Sequence, residues 1–441
     1  MRVQWGALIA ALVLVGTSPI AWSQQVMPSP GPGSYGAIPV EPGSPESTSV
    51  LQRARPDYNP LGIRAGGFLV YPSLDLGEFY DSNVYAIPTG VKSDFYTDVA
   101  PNVNVASNWN TNALNFSAGG EIKRYSQLVS ENVSNANVAT NGRIDILRDI
   151  YLLGGLSYQL EHEDRSSPNS IVGQAQPTEY QVAGAGIGYV HEPGRLGLRI
   201  DGIANFYSYD NAQTSTGTTI IETDRNRIEY SVKPRLQYEI VPGYHAFVQA
   251  SGNGVTYQAS RDQFGYQRDS NGWEADAGTA VEITRIIHGE VFAGYLQQNY
   301  TDPRLRQDSG VGFGGNALWN VTDLDSIRFN LSRTVQETIV NNVVGTTVVD
   351  AASDLQTSAG VSVEHELLRN VLLNAGVTYV EDDFEGISRT DNSYQADAGA
   401  RYLLTRVWSA GLDFTYRKRD SSQSINDYER EIVTARLRTQ F

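Results

Sequence analysis

Cysteine is absent from the 441 residues, which excludes disulfide frameworks, thiolate zinc sites, thiol nucleophiles and lipid-anchor cysteines. Basic residues are few: 33 Lys and Arg stand against 49 Asp and Glu, a net charge of −16 that argues against nucleic acid as a partner. Histidine occurs five times (His162, His191, His245, His288 and His365), each beside a turn or loop and without a partner set for catalysis. No G-x-S-x-G nucleophile elbow, H-E-x-x-H zinc helix or phosphate-binding loop is present. The chain therefore reads as a non-enzyme without catalytic, cofactor or metal residues. Long apolar runs are also missing: after the N-terminal region none reaches the roughly 18 residues that a membrane-spanning helix needs.

What is present begins with a targeting signal. Arg2, the apolar run Ala7–Gly16 and the small residues of Ala21-Trp22-Ser23 read as a secretory signal peptide over residues 1–23, cleaved before Gln24. Residues 24–66 read as a Pro/Gly/Ser-rich periplasmic leader, flexible to about Ser49 and continued by Val50–Gly66 as a bridge. From residue 67 to 441 the sequence repeats in period rather than in letters. The last stretch shows the pattern: Val433, Ala435, Leu437 and Phe441 alternate with Thr434, Arg436, Arg438 and Gln440, as in a strand with one apolar and one wet face.

Comparable segments fall at about 67–79, 94–106, 112–125, 136–147, 150–161, 179–191, 196–209, 225–239, 244–257, 272–283, 289–300, 309–321, 326–337, 354–366, 371–381, 392–404, 407–418 and 428–441. Their length suits tilted transmembrane strands better than soluble ones. Tight turns such as Arg148-Asp149, Val241-Pro242-Gly243 and Thr405-Arg406 alternate with long polar loops such as Glu161–Thr178, Tyr209–Asp224 and Thr338–Ser353. That asymmetry belongs to outer-membrane barrels. With 25 tyrosines and a mean hydropathy of −0.32, the fold class is all-β. It is read as a transmembrane antiparallel up-and-down β-barrel of about 18 strands, with N- and C-termini periplasmic. A chain ending on an aromatic is similar to bacterial outer-membrane barrels, which implies that Phe441 is part of an assembly signal read by the barrel-assembly machinery.

Arg or Lys facing lipid at mid-depth costs about 2–4 kcal/mol, so the charged rows are expected to face inward. The expected pore-lining residues are Arg199, Asp201, Arg227, Glu229, Lys233, Arg235, Glu274, Asp276, Glu282, Arg401, Asp413, Arg417, Arg436 and Arg438. Glu274, Asp276, Glu282 and Glu290 lie well around the barrel from Arg401, Arg417, Arg436 and Arg438. Two readings stay open: opposed acidic and basic walls across the pore, or local cross-strand salt bridges, Asp413 with a neighbouring arginine for one. Trp408, Tyr416, Trp319, Tyr244, Trp273 and Tyr151 are placed in interfacial girdles. Glu161-His162-Glu163-Asp164 and the acidic loop of Glu381, Asp382, Asp383 and Glu385 read as solvated loop charge, with divalent-cation binding as the sharper alternative.

Arg55–Val84 reads RPDYNPLGIRAGGFLVYPSLDLGEFYDSNV. It resembles the opening of the putative beta-barrel porin 2 family of proteobacterial outer-membrane proteins, where a comparable RPxYxPLGI…FxxxPSLxxGxxYDxNV stretch leads into the first strand. The resemblance implies an outer-membrane barrel without a catalytic centre, and offers no binding-residue motif to carry over. The function expected is a porin-like channel giving passive passage to hydrophilic solutes. The alternative is the outer-membrane component of an exopolysaccharide secretion system, with polysaccharide-secretion proteins as partners. A closed structural or adhesive barrel ranks last. Outer-membrane lipid and lipopolysaccharide are the other expected partners, and the cell outer membrane is the expected location.

Overall fold

The computed structural model describes residues 48–171, 173–283, 286–344 and 347–441. The signal-peptide reading and the first part of the leader lie outside them. Among the described residues the only helical elements are single 3-10 turns, at Val50–Gln52, Val129–Glu131, Thr223–Arg225 and Ser424–Asn426, and no helix is long and apolar enough to cross a membrane.

The main sheet has nineteen strands, one of which, Ile63–Ala65, is a three-residue hairpin partner of the first long strand. The others are β1 (Phe68–Asp81), β2 (Asp94–Ser107), β3 (Ala113–Tyr125), β4 (Val133–Leu147), β5 (Ile150–His162), β6 (Glu179–His191), β7 (Leu196–Tyr209), β8 (Arg227–Val241) and β9 (Tyr244–Tyr257). They continue as β10 (Ser270–Ile283), β11 (Ile287–Tyr300), β12 (Asp308–Asn320), β13 (Asp325–Gln336), β14 (Asp354–Leu368), β15 (Val371–Phe384), β16 (Arg389–Leu403), β17 (Trp408–Ser421) and β18 (Tyr428–Gln440). Each pairs antiparallel with its neighbours in sequence, and β18 returns to β1 from Ser73↔Gln440 to Asp81↔Ile432. The sheet is a closed eighteen-strand barrel. Closure removes the edges that an open sheet would expose.

Every segment read from the alternation corresponds to one strand. The segment expected over 136–147 begins earlier, at Val133, because Asn135 and Asn137 continue the inward row opposite Glu121 and Gly119. The loop expected to carry Glu381, Asp382, Asp383 and Glu385 shrinks to residues 385–388, since β15 runs on to Phe384 and β16 starts at Arg389. Prolines inside strands are tolerated where a ladder breaks: pairing of β2 with β3 skips around Pro101, and pairing of β8 with β9 skips around Pro234. Bulges sit beside three tight turns, at 145–147, 239–241 and 366–368.

The two faces of the wall differ in kind. Along β8, Ile228, Tyr230, Val232, Leu236, Tyr238 and Ile240 are exposed on the outer face, while Arg227 and Glu229 are buried on the inner face. Of the residues placed in interfacial girdles, Trp273, Trp319, Tyr244 and Trp408 are exposed among the outer-face positions. Tyr151 corrects that expectation. Its register partners Asp145 and Val190 belong to the inner rows, and it is buried beneath the Arg143 guanidinium, 3.8 Å from its ring centroid.

Candidate functional site

At mid-height the inner face meets open space. Asn330, Ser332 and Thr334 of β13 are exposed inside while Phe329 and Leu331 are exposed outside, and Lys233 of β8 is exposed opposite Val232. A packed core would bury one of the two faces. The enclosed lumen is lined by charge arranged in local pairs.

Arg199 and Asp201, two apart on β7, pair at 2.7 Å, and Arg227 and Glu229 do the same on β8 at 2.7 Å. Arg235 reaches Glu290 at 2.7 Å with its guanidinium 3.6 Å from the Phe247 ring centroid. Lys233 stands opposite Asp201 in register, its Nζ 5.6 Å from the Phe292 ring centroid. Asp276 accepts a hydrogen bond from Gln249 at 3.0 Å, and Glu282 lies 3.6 Å from His288. Glu274 lies in the same inner row as Asp276, opposite Leu296. Across the barrel, Arg438 lies 3.9 Å from Asp75, Arg436 lies over Phe79, and Arg417 donates to Gln395 at 3.1 Å. Arg401 and Arg436 both stand opposite Gly411, which puts Asp413, two residues further along β17, diagonal to each. The local salt-bridge reading fits the pairs Arg199–Asp201, Arg227–Glu229, Arg235–Glu290 and Arg438–Asp75. Neither wall carries one sign, because Arg235 and Lys233 sit among the acids and Asp75 and Asp413 among the arginines.

The end carrying the long loops is filled. Residues 163–171, after β5, cross the mouth instead of standing out from it. Asp164 pairs with Arg430 of β18 at 3.2 Å, and Arg419 of β17 donates to the Ser166 carbonyl. Asn169 then accepts from Thr338 Oγ1 at 2.8 Å and from the Ile339 N–H at 3.0 Å, on the loop after β13, almost diametrically opposite β5. The near side is anchored by Arg165 to Glu131 at 2.8 Å and by Glu163 to Arg225 at 2.9 Å. Residues 337–344 and 347–353 fold in from the far side. There Arg268 pairs with Asp350 at 2.6 Å and with Asp262 at 2.8 Å, and Tyr257 donates to Glu337 at 2.6 Å.

Burial pushes the Glu337 carboxyl up to about 7, against the pull of Arg227 and the Tyr257 hydroxyl. It lifts Asp350 to about 6 against Arg268. For Asp164, burial pushes upward but Arg430, Arg417 and the bonds from Ser166 outweigh it and hold the carboxyl well below its ordinary range.

These contacts revise the reading of the Glu161–Asp164 cluster as solvated charge. Glu163 and Asp164 are spent on Arg225 and Arg430, and His162 sits 2.8 Å from Asn135. Asp382 accepts from Gln356 at 2.7 Å and Glu385 pairs with Arg306 at 3.1 Å. No group of three or more metal-ligating side chains occurs among the described residues. Arg430, Arg225 and Arg268, which hold the loops, were missed in the sequence. The recurring Arg-x-acid spacing (Arg143–Asp145, Arg199–Asp201, Arg227–Glu229, Arg389–Asp391) was a visible signal for the paired ones. Nothing local marks Arg430.

The end carrying the short turns holds Thr48 to Pro56 against the inner wall of β13 and β14, where Ser49 and Val50 are fully buried. The bridge expected over Val50–Gly66 thus starts inside the barrel and leaves it near the β16–β17 turn, where Arg406 donates to the Pro56 carbonyl at 3.0 Å.

A closed antiparallel barrel with an apolar outer face and a charged, hollow interior is an outer-membrane β-barrel of the porin type, and the protein resides in the cell outer membrane. The chain belongs to the family described as putative beta-barrel porin 2, whose model matches residues 55–441. It is not an enzyme. Comparison with curated proteins returns no match. Among solved structures it is similar to the outer membrane protein OpdK from Pseudomonas aeruginosa, with 10% identity, 84% of this chain and 99% of that chain covered, and a TM-score of 0.41. It is similar to OccAB3 from Acinetobacter baumannii, with 10% identity, coverage of 84% and 99%, and a TM-score of 0.44. It is also similar to the siderophore receptor PirA from Pseudomonas aeruginosa, with 8% identity, coverage of 88% and 81%, and a TM-score of 0.42. None of these likenesses supports the exopolysaccharide alternative.

Proposed function

We propose that the protein gives small hydrophilic solutes passive passage through the barrel lumen, with residues 163–171 narrowing the path at the outer mouth. The long-loop end faces the cell exterior and both chain ends face the periplasm. The observation that carries this is the two-sided exposure of β13 and β8 at mid-height, which a solid barrel would lack. The wall is lined by Arg199, Asp201, Lys233, Arg235, Glu274, Asp276, Glu282, Arg401, Asp413, Arg436 and Arg438. Arg227, Glu229 and Arg417 belong to the packed outer third. Alternating charge along the wall suits polar solutes of either sign better than it selects one sign.

Single-channel conductance of the refolded protein in a planar bilayer, with sugars of graded size added, tests this. Discrete conductance is expected, larger in Asp164→Ala/Asn169→Ala, which cuts two of the ties across the mouth. Folded barrels that stay silent in both forms would refute a passive channel.

A further inference from the structure

The periplasmic mouth contains a built site with an occupant. On the inner wall, Ser326 accepts the Val50 N–H at 2.9 Å and Glu364 accepts the Leu51 N–H at 2.9 Å. Arg328 bridges the Gln52 side chain at 2.8 Å and Glu364 at 3.0 Å. Arg55, 3% exposed, pairs with Glu366 at 2.6 Å and donates to the Val50 carbonyl at 2.8 Å. Arg53 donates to the Asp323 carbonyl of the β12–β13 turn, and Asn320 reaches the Thr48 carbonyl at 3.4 Å. The short 3-10 turn Val50–Gln52 presents its unpaired N–H groups to wall acceptors, much as a helix start presents them to a cap.

Two features make this more than an anchor. The contacts are almost all polar: Val50 is the one apolar side chain fully buried, so little hydrophobic burial holds the segment. The segment is also tethered through residues 57–62 to β1, so once displaced it stays at high local concentration and rebinds.

We propose that the wall of β12–β14 is a binding site for the chain's own segment Thr48–Pro56, and that the segment is a displaceable occupant that narrows the periplasmic mouth. This rests on the channel proposed above. Glu366 is the recognition group for the arginine, Glu364 and Ser326 for the backbone N–H groups, and Arg328 for the glutamine. Release opens the mouth without any change in the barrel wall.

The absence of native cysteine makes the test clean. In the full chain, Val50→Cys is expected to react with a membrane-impermeant maleimide at least about tenfold more slowly than Leu61→Cys, whose site is exposed. Adding Glu366→Ala to Val50→Cys should bring the two rates within about twofold of each other. Val50→Cys/Ser326→Cys, oxidised, should hold the channel at its low conductance level, with the higher level returning on reduction. Equal labelling rates for the Val50→Cys and Leu61→Cys variants, each in the otherwise native chain, would overturn docking. Conductance and gating identical in the oxidised, reduced and Arg55→Ala forms would overturn the narrowing. A silent wild-type barrel counts against the channel itself, and the labelling comparison still decides whether the site is occupied.

Discussion

Removing Arg430 should be costly, because one side chain serves two structures. Its guanidinium holds Asp81 through Nε at 3.1 Å and Nη2 at 2.6 Å, clamping β18 to β1 where the barrel closes. Nη1 reaches Asp164 at 3.2 Å, tying down the loop that crosses the mouth. Arg430 is 5% exposed and Asp81 is fully buried, so solvent cannot replace the lost partner. Breaking a buried pair from one side leaves an uncompensated charge, and Arg430→Ala is expected to destabilise the barrel by about 3–5 kcal/mol. Asp81→Ala should cost less than the sum suggests once Arg430 is gone, because the double variant has no orphaned carboxylate at the seam. The coupling should sit in the upper part of the ~0.5–3 kcal/mol range found for residues in contact. Urea unfolding in lipid vesicles, followed by tryptophan fluorescence and by electrophoretic mobility of the folded barrel, measures all four corners of the cycle. Single variants each costing under about 1 kcal/mol, with an additive double, would show a solvated pair and refute the reasoning.

The inward packing of Glu337 and Asp350 on the loop after β13 should depend on pH. Glu337 and Asp350 are pushed up to about 7 and about 6 by burial, so the packed loop holds protons that a released loop gives up. Packing is therefore complete below the ordinary carboxylate range and weakens as pH rises through about 7. Conductance should increase between about pH 5 and 8, and Glu337→Gln, which keeps a partner for Tyr257 without the charge, should flatten that rise. A pH-independent wild type would contradict it. Phe441→Ala should leave the β1–β18 pairing intact and cost the refolded barrel at most about 1–2 kcal/mol, since the contact to the Pro72 carbonyl is made by the backbone N–H and only a partly covered side chain is lost. If Phe441 is an assembly signal, the same variant should show less folded protein in cell outer membranes; equal losses in the test tube and in cells would point to stability instead.

The barrel was legible because each strand borders two media. Where Val232, Leu236 and Tyr238 meet lipid and Lys233, Arg235 and Gln237 meet the lumen, the period of two is written directly into the residues. The family stretch at the start of the barrel also acquires physical reasons. Gly62 adopts φ +73° with the Tyr71 ring where a Cβ would go, Asp81 receives Arg430, and the Asn83 side chain bonds the Ile87 and Glu429 carbonyls to fix the first loop. What periodicity cannot carry is partnership across the lumen. Arg430 and Asp81 are 349 residues apart, Arg55 and Glu366 are 311 apart, and alternation assigns each a face without naming a mate. The loop over 163–178 looked like any polar external loop because the residues that pull it inward are on other strands.

That the occupants of both mouths are held by charge follows from the lumen itself. A segment docking on a polar, hydrated wall displaces water from polar groups and gains little from apolar burial, so specific ion pairs and hydrogen bonds must supply the hold. Such ties are directional, which fixes where Asp164 and Arg55 land. The apolar outer wall has the opposite character: contacts there are many, non-directional and set by the lipid. The same chain thus has a wall fixed by closed hydrogen-bonding around the ring and fillings at its two ends that are held by polar contacts. The wall and the proposed periplasmic occupant can then change independently in sequence, since no residue of that occupant belongs to a barrel strand.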